Sequence, residues 1–296
     1  MARISILADI AGQDLEQVVK ELPEFGIELI DLKRGVFGHA IESLDDTARN
    51  RLAALLEQSS VENYSFSSNV GYVNISTMTE TEFRTHLNDG VSNMLKSLRV
   101  VRPTMIRLLA CSFDNRAEWD NSNEFLERHA PWVYSAYDEA IARINDAGII
   151  ATIENEPNTI FSNPTETIGF FDRLARREKV GFTWDIQNMW QSGSFPTVES
   201  YRLLKPIINY VHTKGGRGSE EAPNLLTWRS SLEDASWPVR EILAEVLTDN
   251  PDAVICVNTS HGKVQNATDS VDRFKLGRDE ARRDITFLQQ LIGDNS

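Results

Sequence analysis

Three apolar, β-type runs in the second half of the chain each end on a carboxylate or an imidazole. Ile150-Ala151-Thr152-Ile153 leads into Glu154-Asn155-Glu156, Val180-Gly181-Phe182-Thr183-Trp184 into Asp185, and Ile207-Ile208-Asn209-Tyr210-Val211 into His212-Thr213-Lys214. Glu154 and Asp185 stand 31 residues apart, and Asp185 and His212 stand 27 apart. A (β/α)8 barrel spreads ~250 residues over eight strand–helix units, roughly 31 each, and builds its sites at the C-terminal strand ends. The interval therefore predicts one such side chain at the end of each of three successive barrel strands.

The rest of the chain keeps the same beat. Strand patterns are read at Arg3 to Ala8, Glu28 to Leu32, Val61 to Ser65, Thr104 to Leu109, Ile149 to Ile153, Val180 to Trp184, Ile207 to Val211 and Ala253 to Val257. Helical spacing falls between them at Leu15 to Glu24, Asp46 to Gln58, Thr79 to Leu98, Trp132 to Ala147, near Thr165 to Arg177, near Tyr201, and at Trp237 to Leu247. A last helix, Arg278 to Ile292, closes the chain, and Thr79 with Glu82 has capping-box spacing. Strands alternating with helices predict an α/β protein with a parallel sheet. The main rival, a doubly wound open sheet, lacks a Gly-x-Gly-x-x-Gly turn after the first strand. The expectation is a single (β/α)8 TIM barrel, with residues 1–296 forming one domain.

Composition narrows the partners. A net charge of −14 argues against nucleic acid and anionic membranes, since neutralising phosphates needs a positive surface. No apolar run approaches the ~20 residues of a membrane span. Cys111 and Cys256 each lie in an apolar run, which predicts buried free thiols and a reducing compartment. The N-terminal apolar stretch stops at Asp9, a poor signal peptide. A cytoplasmic protein is expected.

Carboxylates and imidazoles are the ligands that divalent metals take. Glu154 and Glu156 lie two apart on one strand, so both can point the same way. Each of Glu154, Asp185 and His212 alone is readily explained as a paired or hydrogen-bonded structural group. All three at matching strand ends favour a metal site. Lys214 follows His212 by two and either holds a substrate oxygen or pairs with Asp185. Gly215-Gly216-Arg217-Gly218 reads either as a loop that binds an anion or hydroxyl through backbone N–H groups and Arg217, or as a turn with a surface arginine. Arg107, inside the fourth strand, demands a partner: a mouth carboxylate or substrate. Trp184, Trp190 and Phe113 are either apolar walls for a sugar ring or core.

Ile153-Glu154-Asn155-Glu156-Pro157, Trp184-Asp185-Ile186-Gln187-Asn188 and Val211-His212-Thr213-Lys214 carry a resemblance. The chain resembles the xylose-isomerase-like barrel family of sugar isomerases, ketose 3-epimerases, hydroxypyruvate isomerase and inositol-catabolism enzymes. The resemblance extends over essentially the whole chain. It implies a site of Glu, Asp, His and a second Glu holding Mn, Mg, Co or Zn. Glu154, Asp185 and His212 match. The fourth position does not: the eighth strand reads Val254-Ile255-Cys256-Val257-Asn258-Thr259-Ser260-His261, which puts Asn258 where the second Glu is expected. An Asn oxygen can ligate a metal but cannot take up a proton. Asn188 stands where some family members use His for substrate or metal.

The leading expectation is a metal-dependent sugar isomerase or epimerase-like enzyme working through an enediolate. Glu154, Lys214 and His261 are its proton-carrying candidates. Glu154, Asp185, His212 and Asn258 would hold the metal, and Glu156, Asn188, Arg217, Arg107 and Trp184 would line the substrate. Epimerases of this family use two glutamates from opposite faces, which Asn258 puts in doubt. Two alternatives follow: a metal-dependent lyase or dehydratase acting on a modified sugar, such as an oxidised glycoside, or a non-catalytic sugar-binding barrel. DNA-repair endonucleases share the architecture, but the charge and the few histidines count against that activity. The expected partner is a small sugar or sugar derivative, and the oligomeric state, a homo-oligomer included, is open.

Overall fold

Eight parallel strands close into a barrel in chain order in the computed structural model, which describes residues 1–11, 14–227, 230–259 and 270–294. The strands are β1 (Arg3–Leu7), β2 (Leu29–Leu32), β3 (Glu62–Ser67), β4 (Met105–Leu109), β5 (Ile150–Glu154), β6 (Val180–Asp185), β7 (Ile208–Thr213) and β8 (Val254–Val257). The barrel shuts where β1 pairs with β8, Arg3 beside Val254 and Ile6 beside Val257. All eight expected strands are present, with ends displaced by at most two residues.

Helices fill the intervals: α1 (Ala8–Ala11), α2 (Leu15–Glu21), α3 (Asp46–Glu57), α4 (Glu80–Ser97), α5 (Ser122–His129), α6 (Trp132–Asp146), α7 (Pro164–Arg173), α8 (Ile186–Gln191), α9 (Val198–Leu204), α10 (Val239–Asp249) and α11 (Ser270–Asp294). Local chemistry sets their starts. The expected capping box opens α4, with the Glu82 N–H donating to Thr79 Oγ1 and the Thr79 N–H to Glu82 Oε2. At α7 the Asn163 side chain accepts from the Glu166 N–H, and Pro164 occupies the first turn, where its missing N–H costs nothing. Short α1, α5 and α8 are not among the helices expected from sequence. At four to eight residues they carry too few turns for a periodic signal.

Alternation along the strands sorts the side chains into two layers. Ile6, Ile30, Ile106, Ile153 and Phe182 belong to the main apolar core between barrel and helices. Each contributes about 1.5–3 kcal/mol of burial. The opposite parity fills the barrel interior. There a small apolar cluster includes Leu7, Leu29, Met105, Tyr210 and Cys256. Two residues further along three of these strands stand Asp31, Arg107 and His212, all fully buried. The interior thus passes from apolar to polar toward the C-terminal strand ends. Cys111 and Cys256 are free and buried. No helix among the described residues is long and apolar enough to cross a membrane.

Candidate metal centre and active site

The barrel register brings the three strand-end side chains together. Glu154 ends β5, Asp185 ends β6, and His212 on β7 pairs in register with both Asp185 and Cys256. One ligand atom from each of Glu154, Asp185 and His212 lies within 4.8 Å of the others, and all three residues are buried. Asn155 ties the two acidic strand ends together. Its side-chain oxygen accepts the Asp185 N–H and its amide donates to the Asp185 carbonyl, both at 2.9 Å.

Each carboxylate faces a cation. The Arg107 guanidinium pairs with Glu154 Oε2 and also donates to the Ser68 carbonyl at 2.6 Å. Burial alone would raise the Glu154 carboxyl, but Arg107 and His212 outweigh it and hold Glu154 well below the ordinary carboxylate range. Lys214 Nζ lies 2.8 Å from Asp185 Oδ2 and donates to Asn188 Oδ1 at 2.8 Å. Burial would lower this ammonium, yet Asp185 holds it above the ordinary lysine range. Burial pushes Asp185 itself up, an effect Lys214 only partly offsets. Asn258, at the end of β8, donates its amide to Asp185 Oδ2 at 2.9 Å.

The donor set has the chemistry of a divalent-ion site. Glu154 Oε1 and His212 Nδ1 are buried without a hydrogen-bond partner among the described residues. A buried polar atom left unpaired costs free energy, which a ligated cation would recover. The His212 Nδ1 lies 3.2 Å from Glu154 Oε1 and faces the same space. Two carboxylates and an imidazole suit Mn, Mg, Co or Zn. These residues fit a metal.

Around this centre, Glu156 occupies the next inward position beyond Glu154. Its carboxylate accepts from the Asn188 amide at 3.1 Å and lies 3.6 Å from Lys33 Nζ. Asn188 therefore joins Lys214 to Glu156. Asp185 also caps α8, accepting the Asn188 N–H at 3.0 Å, so one carboxylate fixes both the centre and the helix behind it.

Three expected site features are placed otherwise. Trp184 is buried in the outer apolar layer, stacked on Tyr201 of α9 with centroids 6.3 Å apart, and forms no wall of the site. The cause is alternation: if Asp185 points inward, its neighbour points out. The Gly216 and Gly218 N–H groups are spent on Ser230 and Ser236 hydroxyls, both at 2.9 Å, so they form no anion cradle. Arg217 is exposed and lies by Asp234, whose carboxyl is held low chiefly by Arg283, with a smaller contribution from Arg217. His261 lies outside the described residues.

Sequence reading missed Asp31, Lys33 and Asp9. Asp31 sits beneath His212, with Oδ2 3.6 Å from Nε2. Burial pushes the Asp9 carboxyl up against the opposing effect of Lys33. The available signal for Asp31 was an acid inside an apolar strand, two residues after inward Leu29. A cavity of about 730 Å³ exists, but at the opposite end of the barrel, around the starts of β5, β6 and β7.

A family model described as xylose isomerase-like TIM barrel matches residues 19–275. No curated protein matches the chain. Among solved structures it is similar to IOLI with a bound zinc atom, at TM-score 0.74 and 11% identity over 99% of each chain. It is similar to the probable 3-DHS dehydratase AsbF involved in petrobactin synthesis from Bacillus anthracis, at TM-score 0.69 and 15% identity over 97% of this chain and 98% of that one. L-ribulose 3-epimerase aligns at TM-score 0.69 and 14% identity over 100% of this chain and 96% of that one. At these identities the likeness is one of fold.

Proposed function

Since the chain belongs to the xylose isomerase-like TIM barrel family, we propose that it is a divalent-metal-dependent enzyme acting on a sugar or sugar derivative. Its reaction moves a proton on the carbon beside a carbonyl. The observation that carries this reading is the convergence of Glu154, Asp185 and His212, with Glu154 Oε1 and His212 Nδ1 buried side by side and neither of them hydrogen-bonded among the described residues. A divalent ion held by these residues, with Asn258 beside them, would polarise a substrate carbonyl and make the adjacent carbon acid stronger.

The surrounding side chains divide the remaining work. Glu154, kept ionised by Arg107, is a ligand and a poor base. Glu156, two residues nearer the opening and partly exposed, is the carboxylate placed to take the proton. Lys214, held protonated by Asp185, is placed to donate one. Asn258 supplies an amide where the second glutamate would stand, so the described residues offer no carboxylate there to act as the opposed base that epimerisation uses. One-faced chemistry follows: isomerisation through an enediolate or, favoured by the acid Lys214, elimination of a hydroxyl or glycosidic oxygen.

The test is metal analysis of protein purified without chelator, beside Asp185→Ala and His212→Ala, followed by assay of the reloaded native protein. A panel of ketoses and oxidised sugars, read for isomer, epimer and elimination product, defines the reaction. Metal in the native protein alone, with isomer or elimination product, supports the reading. Equal metal in all three proteins, or rapid epimer formation, overturns it.

A further inference from the structure

His212 stands between two carboxylates. Its Nδ1 lies 3.2 Å from Glu154 Oε1 on the mouth side, and its Nε2 lies 3.6 Å from Asp31 Oδ2 on the inner side. All three residues are at most 1% exposed. A buried carboxylate needs a compensating partner. Among the described residues, His212 is the ion-pair partner within 4.0 Å of Asp31. The remaining contacts of Asp31 are neutral donors that fix it in place. The Tyr210 hydroxyl lies 2.8 Å from Oδ1 and 2.9 Å from Oδ2 and donates its one proton to this carboxylate, and Ser67 Oγ donates to Oδ2 at 3.2 Å. Tyr210 also meets the His212 ring edge-on, with centroids 4.9 Å apart and planes at 81°.

We infer that Asp31 is a positioning residue: its carboxylate, at ion-pair distance from Nε2, is the acceptor toward which the Nε2–H of His212 is directed, so that Nδ1 is presented to the centre formed with Glu154 and Asp185. This rests on the metal-binding reading of that centre. A ligating histidine commonly gives its second ring N–H to a carboxylate, which fixes the tautomer and ring orientation and raises ligand basicity. Asp31, His212 and Cys256 also offer three ligand-type atoms within 4.8 Å. A second ion is not their purpose. The Asp31 oxygens already accept from Tyr210 and Ser67, and the Cys256 thiol points at Asp31 at 3.7 Å.

The experiment uses the full chain labelled with ¹⁵N-histidine, with the His212 signals assigned by difference from His212→Gln. In metal-free protein the expected result is a proton on Nε2 protected from solvent exchange. On zinc loading, Nε2 keeps its proton and Nδ1 takes the metal shift, with one zinc bound per chain. Asp31→Ala should weaken zinc binding about 10- to 100-fold, and Asp31→Asn, which keeps an acceptor, by less. Loss of the protected Nε2–H in a folded Asp31→Ala protein separates positioning from general packing. Zinc on Nε2, native affinity in Asp31→Ala, or a second zinc lost only in Asp31→Ala overturns the proposal. If the native protein binds no zinc, the metal reading fails. The Nε2 proton of the metal-free protein then still decides whether Asp31 holds the ring.

Discussion

Asn258 donates its side-chain amide to Asp185 Oδ2, the same oxygen that lies 2.8 Å from Lys214 Nζ. A glutamate at 258 would place a second negative charge against Asp185 with one lysine between them. Without metal that arrangement is repulsive, and with a divalent ion it completes a more anionic ligand set. Asn258→Glu should therefore lower the melting temperature of metal-free protein and tighten metal binding by at least about tenfold, since ligand charge count strongly tunes affinity. Calorimetric titration and thermal melts with and without manganese check both. Unchanged affinity places residue 258 away from the ion.

Arg107 is fully buried against Glu154. Removing one member of a buried pair leaves the other uncompensated, at a cost of about 3–5 kcal/mol. Arg107→Met should lose about that much stability in metal-free protein, measured by urea unfolding. Saturating manganese should restore part of it, because the ion gives Glu154 another positive neighbour. A loss below about 1 kcal/mol would mean that Glu154 finds its compensation elsewhere.

How much of this was legible follows from what each signal encodes. The barrel was readable because parallel strands buried on both faces leave apolar runs, and the strand–helix interval repeats. Glu154, Asp185 and His212 were readable because each interrupts such a run at its end. Trp184 was misplaced although the rule that places it, alternation from Asp185, was available. Asp31 was harder. It becomes functional only through a neighbour 181 positions away in sequence, and pairing of β7 with β2 residues across the barrel interior leaves no local pattern. The serine hydroxyls that occupy the Gly216 and Gly218 N–H groups come from 14 and 18 residues downstream, so the loop resembled an open anion cradle until folded.

Asp284 on α11 is buried, with Oδ1 accepting the Leu232 N–H at 2.7 Å and Oδ2 without a partner among the described residues. Burial pushes its carboxyl up from 3.8 to about 7; the Leu232 hydrogen bond and Arg283 oppose this, while Glu280 and Asp234 add to it. The folded state thus binds this proton more tightly than the unfolded state. Its contribution is full below about 3.8 and falls as pH rises toward about 7, at about 1.4 kcal/mol per pH unit. Asp284→Asn keeps the acceptor for Leu232 and cannot ionise. The variant should match the native protein near pH 4 and exceed its stability at pH 8 by a few kcal/mol, up to about 4. Parallel stability–pH curves by urea unfolding would contradict this assignment.

Glu154 and Glu156 lie on the same side of one strand end, yet their surroundings assign them different tasks. Glu154 is locked by Arg107 and faces His212, whereas Glu156 is partly exposed and contacts the Asn188 amide and Lys33. Neutralising each should therefore fail in a different way. Glu154→Gln removes a ligand charge and leaves Arg107 unpaired, so metal content and stability should fall together with turnover. Glu156→Gln should retain the metal and the fold while kcat drops about 10²–10⁴-fold, the usual worth of a general base. The substrate identified from the sugar panel supplies the assay, and recovery in deuterated water supplies a second readout. Native protein should place deuterium on the carbon beside the carbonyl, and Glu156→Gln should slow that exchange as much as it slows turnover. If Glu156→Gln exchanges and turns over at the native rate, the base lies elsewhere. If Glu154→Gln keeps its metal and loses only turnover, the two roles are reversed, and Arg107 serves to orient a base.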